Sequence, residues 1–464
     1  MAFNWQQKGW PNATVNRAAL KDELDAFGAA FSRVKAALRK PQNPVALMSA
    51  LVDEAVKTSA IEGVRVDESV VVSSICKALG IRDVPVGFTK DARAEGVAQM
   101  VLAVRRDWKK PLSAQLVKAW HGALLANDPR GVTVGDFRSH AEPMRVIRRN
   151  AYGEVEIRFE APPSVRVPEE VERFVGMWRA TARDPVDVAL KCALLHPHFE
   201  SIHPFEDGNG RVGRALVAKT LAEGLGKALV LPVSTVLDRY RKDYYEAIHE
   251  ASQSLDWTDW AKFFIPVLSE TLSGFLSAAR FISAKGAYLS MYEGRISERA
   301  KAVILRMFRD GPAGVAAGLS AAKWMRMTKV SKPTATRDLA ELAKTGAILA
   351  EGNGAQTRYR LAFDLDSHEP IDEPLNEPLN EPKDEGINEG TKRDVHALVR
   401  KSPGTRVPFI VEALGVSRAT VKRALAALIA AGKVEHRGSK KTGGYFCIPR
   451  LRNGSVRPPT SYLP

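Results

Sequence analysis

Three cysteines in 464 residues, Cys76, Cys192 and Cys447, are too few and too scattered for a disulfide framework or a zinc spacing. Long apolar runs are missing too. No stretch approaches the roughly 20 residues needed to span a bilayer, and no charged-then-apolar leader opens the chain, so a cytoplasmic location without membrane attachment is expected. Acids are in deficit, with 53 Asp and Glu against 68 Lys and Arg, a net charge of +15 and a pI near 9.6. Such an excess favours a polyanionic partner. An apolar fraction of 45% is that of a soluble protein, and the length leaves room for three or four domains.

What is present is concentrated in residues 203–214, His-Pro-Phe-Glu-Asp-Gly-Asn-Gly-Arg-Val-Gly-Arg. His203 is the group here that titrates near neutrality, and Asp207 offers a hard oxygen ligand. The Gly208-Asn209-Gly210 turn can aim backbone N–H groups at an anion where a helix begins. Arg211 and Arg214, three apart on that helix's first turn, add guanidinium forks to the positive end of the dipole. The inventory suits nucleotide phosphates. Apolar spacing predicts helices on both sides, over residues 186–196 and 211–222.

The stretch resembles the signature of the Fic family, His-x-Phe-x-Asp/Glu-Gly-Asn-Gly-Arg-x-x-Arg, with every fixed position filled. The resemblance implies a mainly α fold, an all-helical core carrying a β-hairpin flap, in which this loop joins two helices. It also implies transfer of a nucleoside monophosphate, usually AMP from ATP, to a hydroxyl of a target protein. His203 would be the general base and Asp207 would hold Mg²⁺. The amides of Gly208 to Gly210, with Asn209, would stabilise the transferred phosphate, Arg211 and Arg214 would clamp the outer phosphates, and Phe205 would anchor the loop.

Thr58-Ser-Ala-Ile-Glu62-Gly63 resembles the family's inhibitory motif in its N-terminal version. Thr58 and Glu62 share a helix face, and Gly63 suits the helix end. By resemblance Glu62 pairs with Arg214 and excludes the γ-phosphate of ATP from its productive pose. The bland reading is an exposed glutamate before a helix-ending glycine. Trp5, Trp10 and an amphipathic run over residues 20–38 look like an N-terminal extension found in some Fic proteins. Gly135-Asp-Phe-Arg138 and residues 146–159 resemble the flap region, where Val155, Ile157 and Phe159 alternate after the turn-favouring Tyr152-Gly153. A target segment could pair with that strand edge, and a purely structural hairpin is the alternative. Tyr244, Tyr245 and Trp260 are expected in the core.

The resemblance covers about the first 290 residues. Beyond it, Ser331, Thr334, Arg337, Leu339, Leu342 and Gly346 recur as Ser417, Thr420, Arg423, Leu425, Leu428 and Gly432. Serine as cap, leucines as packing and glycine as stop suggest two helix-turn-helix modules, each followed by a small wing. Residues 391–450 hold 13 Lys or Arg and 3 Asp or Glu, a balance of +10. DNA is the expected partner, met by Arg418, Lys422 and Arg423 from the second recognition helix and by Lys440 and Lys441 from its wing. Protein docking is the competing use of such modules. Residues 364–390 hold 10 Asp or Glu, 1 Lys and repeated prolines, which reads as an extended acidic tether.

The expected organisation is an N-terminal helical region with the inhibitory motif (1–85), a catalytic core (86–290), a winged helix-turn-helix (295–363), the tether (364–390) and a second winged helix-turn-helix (391–450). Two function classes follow: an ATP- and Mg²⁺-dependent protein adenylyltransferase restrained by Glu62, or a DNA-binding regulator whose Fic domain senses nucleotide. Within the enzyme class, removal of AMP by a Glu62-positioned water is an alternative. Many members form dimers, so a homodimer is possible by resemblance, while nothing in the residues fixes it.

Overall fold

The computed structural model describes residues 2–39, 43–80, 90–126, 128, 130–149, 154–309, 311–352, 357–363, 389–414, 416, 418–431, 433–437 and 444–447, a few of them, including Arg418, Lys422 and Arg423, by backbone alone. The chain divides into two compact units, Met1–Asp372 and Glu373–Pro464. No helix among the described residues is long and apolar enough to cross a membrane.

The first unit opens with α1 (Lys21–Ala37), α2 (Pro44–Ile61), α3 (Glu68–Ala78), α4 (Ala92–Arg106) and α5 (Ala114–Leu125). Their starts follow local chemistry. Asn43 accepts from Val45 N at 2.9 Å with Pro44 at the first helical position, Asp91 accepts from Arg93 N and Ala94 N, and Ser113 accepts from Leu116 N. A hairpin follows, β1 (Arg145–Arg149) antiparallel to β2 (Val155–Glu160), with a register irregularity between Val146 and Ile147. Then come α6 (Val167–Trp178), α7 (Pro185–Ile202), α8 (Asn209–Leu225), α9 (Val233–Arg239), α10 (Arg241–Ala251) and the long α11 (Thr258–Met291).

The two helices expected around the 203–214 stretch are present and longer than periodicity set them. α7 runs to Ile202 and contains Pro197, while α8 begins at Asn209. Both are buried nearly all round, through Val188, Leu190, Cys192, Leu195 and Phe199 on one and Val212, Leu216, Val217 and Leu221 on the other. Each such side chain contributes about 1.5–3 kcal/mol when removed from water, so this pair is the rigid centre that presents the loop between them.

α11 is shared by two cores. Its first half packs Phe264, Ile265, Leu268 and Phe275 into the main core. Its end sends Phe281 and Tyr288 into a second core with Trp324, Leu339 and Leu342. That second core is built by α12 (Glu298–Arg309), α13 (Gly311–Ala317), α14 (Ala321–Thr328), α15 (Lys332–Thr345) and the hairpin β3 (Ile348–Glu351) with β4 (Arg358–Leu361). Ser331 stands at the start of α15 as expected, but its hydroxyl lies 3.0 Å from that of Thr334 and makes no cap bond to the backbone. Gly346 ends the helix with φ 78°.

In the second unit α16 (Glu389–Lys401), α17 (Val407–Leu414) and α18 (Arg418–Ala430) enclose Val395, Val399, Ile410, Val421, Leu425 and Leu428, and β5 (Val434–Arg437) pairs with β6 (Gly444–Cys447). Lys440, Lys441, Tyr152, Gly153 and most of the tether lie outside the described residues.

Candidate active site

His203 ends α7 in the left-handed region, at φ 49° and ψ 58°. A non-glycine residue there costs about 1–2 kcal/mol and needs outside support. Arg138 supplies it. Its guanidinium, almost fully buried, donates to the carbonyls of His203 (2.8 Å), Pro162 (2.6 Å) and Ile202 (3.3 Å) and to Ser164 Oγ (2.9 Å). A cation on the last carbonyls of a helix is also favoured by the dipole. Burial lowers Arg138 to about 10, which leaves it charged at neutral pH.

Burial first, then the charge of Arg138, pushes His203 down to about 4, so the imidazole is neutral and able to accept a proton through the physiological range. Its Nδ1 lies 3.9 Å from Glu200 Oε2. Burial, reinforced by the nearby Glu62 charge, pushes Glu200 up to about 8, and its Oε1 has no partner among the described residues.

The loop after His203 is braced from both sides. Phe205 is fully buried and lies flat on His121 at 3.9 Å, with Phe137 at 5.6 Å. Gly135 N donates to His121 Nδ1 at 3.0 Å, which leaves Nε2 to donate to the Asp207 carbonyl at 3.0 Å. Asn209 spends its side-chain amide on Phe205, accepting from its N–H at 2.9 Å and donating to its carbonyl at 2.8 Å. Gly208 takes φ 83°, which permits the turn into α8.

Asp207 Oδ1 accepts from Gly208 N at 2.6 Å, and Oδ2 accepts from Arg211 Nη2 at 3.1 Å and from Arg130, itself paired with Asp128. Burial would raise this carboxyl, but Arg211 and Arg130 outweigh burial and hold it below the ordinary range. Among the described residues no three His, Cys, Asp or Glu side chains converge as a metal cage. Asp207 offers a single hard carboxylate, and the Arg130 and Arg211 guanidinium groups now on its Oδ2 compete with any cation for it.

Across the turn, Glu62 follows the last residue of α2 and sets Oε1 2.9 Å from Arg214 Nη2. Arg214, fully buried, also donates through Nε to Thr58 Oγ1 and through Nη2 to the Thr58 carbonyl, both at 2.9 Å. A methyl group on Gly210 would overlap Glu62 Oε1, so the carboxylate sits directly on the glycine turn. Arg214 Nη1 reaches Tyr244 OH at 3.5 Å, and that hydroxyl lies 2.9 Å from His196 Nε2. Burial and Arg214 push His196 down to about 3, so the ring is neutral, and its tautomer sets which of the two groups donates.

The hairpin stands beside His203, with Phe159 buried 6.4 Å from the imidazole. The expected one-faced alternation is only partly kept. Val155 and Ile157 are half exposed, as are Val146 and Ile147, while Phe159 is buried between Phe3 and His203. Arg158 ties the strand to Glu246 of α10 at 2.7 Å, and Trp5 Nε1 donates to the Glu160 carbonyl at 2.6 Å. Of the aromatics assigned to the core, Tyr244 and Trp260 are buried, but Tyr245 is 40% exposed because its hydroxyl turns toward Ile61 and Glu62 at the rim.

His203, Phe205, Asp207, Gly208, Asn209, Gly210, Arg211 and Arg214 come together with Thr58 and Glu62, brought in from a helix some 150 positions upstream. Residues whose site role was not read from sequence are Arg138, His121, Arg130 and Tyr245. Arg138 was quoted only within its motif, and nothing in the spacing of the others marks them.

A sequence model of the Fic/DOC family matches residues 111–221, and one of a domain of unknown function, DUF4172, matches residues 3–81. Residues 111–221 therefore carry a Fic/DOC domain. It is 36% identical over 96 residues to a probable protein adenylyltransferase of Aquifex aeolicus, covering 21% of this chain and 27% of the relative. It is 23% identical over 150 residues to protein adenylyltransferase fic-1 of Caenorhabditis elegans, covering 31% and 28%. The chain thus spans about a quarter of the length of the curated relatives it matches. A solved Fic family protein from Desulfovibrio desulfuricans G20 aligns with TM-score 0.47 at 21% identity, over 76% of this chain and 98% of that one.

Proposed function

We propose that this chain is a protein adenylyltransferase: it transfers AMP from ATP to a hydroxyl side chain of a target protein, and of itself, and Glu62 restrains it. The observation that carries the reading is a neutral, part-buried imidazole at the head of a glycine turn, with the Glu62 carboxylate lodged between Gly210 of that turn and Arg214. A carboxylate held by a guanidinium against Gly210 occupies a position that suits a phosphate oxygen.

In the reaction the target hydroxyl oxygen forms a bond to the α-phosphorus as the bond from that phosphorus to the bridging oxygen breaks, and pyrophosphate leaves. The hydroxyl proton passes to His203 through Nε2, the nitrogen on the far side of the ring from Glu200. Asp207 would hold Mg²⁺, which would supply charge neutralisation on the phosphates. Arg211 and Arg214 take the outer phosphate oxygens, and the amides at Gly208 to Gly210 receive charge developing at the α-phosphate. Asn209 supports this indirectly by holding the loop through Phe205.

The basic second unit, with the helix–helix–helix–hairpin order also seen in residues 311–361, supports a winged-helix reading in which DNA or a DNA-bound protein places the enzyme near its target. Incubating the Glu62→Gly variant with labelled ATP and cell lysate, followed by mass spectrometry, tests the activity and identifies the acceptor. Absence of any AMP adduct on lysate proteins or on the chain itself would refute the transferase reading.

A further inference from the structure

α2 is anchored along its length and held differently at its tip. Glu54, fully buried, accepts from Ser234 N at 2.9 Å and Oγ at 2.6 Å on α9, and Lys57 pairs with Asp238 at 2.9 Å. One turn later the helix ends, with Gly63 at φ 72°. Ile61 contributes one of the terminal carbonyls for which a helix has no internal donor. The Tyr245 hydroxyl on α10 donates to that carbonyl at 2.9 Å and lies 3.3 Å from Glu62 Oε2. Glu62 is therefore gripped through Oε1 by Arg214 from α8 and approached at Oε2 by Tyr245 from α10.

We propose that Tyr245 is a positioning residue for the inhibitory carboxylate: its hydroxyl fixes the tip of α2 so that Glu62 stays over Gly210 and on Arg214, which sets how strongly ATP is excluded. The inference rests on the reading of Glu62 as an inhibitor. It assigns the strength of inhibition to a residue of α10, outside both sequence motifs. The ring is seated independently of the hydroxyl, against Tyr244 at 5.3 Å and under the Arg241 guanidinium at 5.9 Å, so loss of the oxygen alone leaves the packing in place. Tyr245 shares its hairpin-facing helix with Glu246, which Arg158 of β2 grips. A target engaging the hairpin would thereby load the same helix that holds the latch.

The test is a calorimetric titration of the full chain with magnesium and α,β-methylene ATP, which cannot be transferred, for wild type, Tyr245→Phe, Glu62→Gly and the double variant. Removing the hydrogen bond that caps Ile61 beside the carboxylate is expected to tighten binding roughly 2- to 10-fold in Tyr245→Phe. The double variant is expected to match Glu62→Gly alone, an outcome a general packing effect would not give. Unchanged or weaker binding in Tyr245→Phe, or the same gain in both backgrounds, overturns the latch while leaving Glu62 as inhibitor. Glu62→Gly binding no tighter than wild type removes the inhibition reading and the latch with it.

Discussion

Glu62 Oε1 and Arg214 Nη2 lie 2.9 Å apart, joining the end of α2 to the first turns of α8 with the carboxylate resting on Gly210. Arg214 has no exposed surface, so its charge depends on partners, and Glu62 is the anionic one. Glu62→Gly is expected to lower the stability of the ligand-free protein by about 1–3 kcal/mol, the scale of a hydrogen bond to a charged group. Added ATP should recover the loss, because its phosphates replace the missing anion. Thermal melts with and without nucleotide measure this. A loss that ATP does not restore contradicts the pairing as the cause.

Arg138 donates to the Ile202 and His203 carbonyls at the end of α7 and to the Pro162 carbonyl before α6. Arg138→Met keeps most of the aliphatic bulk and leaves those carbonyls buried without a donor, at about 1–3 kcal/mol each before relaxation. Stability should fall by a few kcal/mol. In protein that remains folded, kcat should fall more than KM rises, since His203 loses its supported left-handed geometry.

The pH behaviour has two opposed parts. His203, His196 and His198 have folded values near 4, 3 and 3, all depressed by burial. The unfolded chain therefore binds more protons below the ordinary histidine value of about 6.5, and stability falls as pH drops from there toward 3. Glu200 and Glu54 are raised, to about 8 and about 7. The folded chain holds their protons longer, so they cost stability increasingly as pH rises from about 4.5 through 8. Glu200→Gln should thus raise the melting temperature more at pH 9 than at pH 5. The transfer rate should show no acid limb from His203 until pH nears 4.

If DNA binds the second unit, the logarithm of affinity should fall linearly with the logarithm of salt concentration. Replacing Lys440 and Lys441 by Ala should lower that slope by about 1 per residue and weaken all sequences alike. Deleting residues 364–388 should strengthen binding at low salt if the acidic tether competes for the same surface. Anisotropy titrations over a salt series measure both.

The candidate site loop was legible because its chemistry is contiguous: one histidine, two adjacent carboxylates, a glycine turn and two arginines within twelve positions, flanked by apolar periodicity. The mainly helical fold followed from that periodicity together with the family pattern. Thr58 and Glu62 were legible only through the motif, since nothing local announces a partner so far along the chain. Arg138's grip on α7, the stack of His121 on Phe205 and the turn of Tyr245 toward Glu62 were not legible. Each depends on helices meeting in space, and a buried arginine that serves carbonyls carries the same letter as one on the surface.

Label transfer compares most directly what His203 and Glu62 do. With ATP labelled in the α-phosphate, Glu62→Gly is expected to label protein strongly, wild type weakly, and Glu62→Gly combined with His203→Ala not at all, while γ-labelled ATP gives no signal in any of them. Label persisting after His203→Ala, or arriving from the γ-phosphate, would contradict the account.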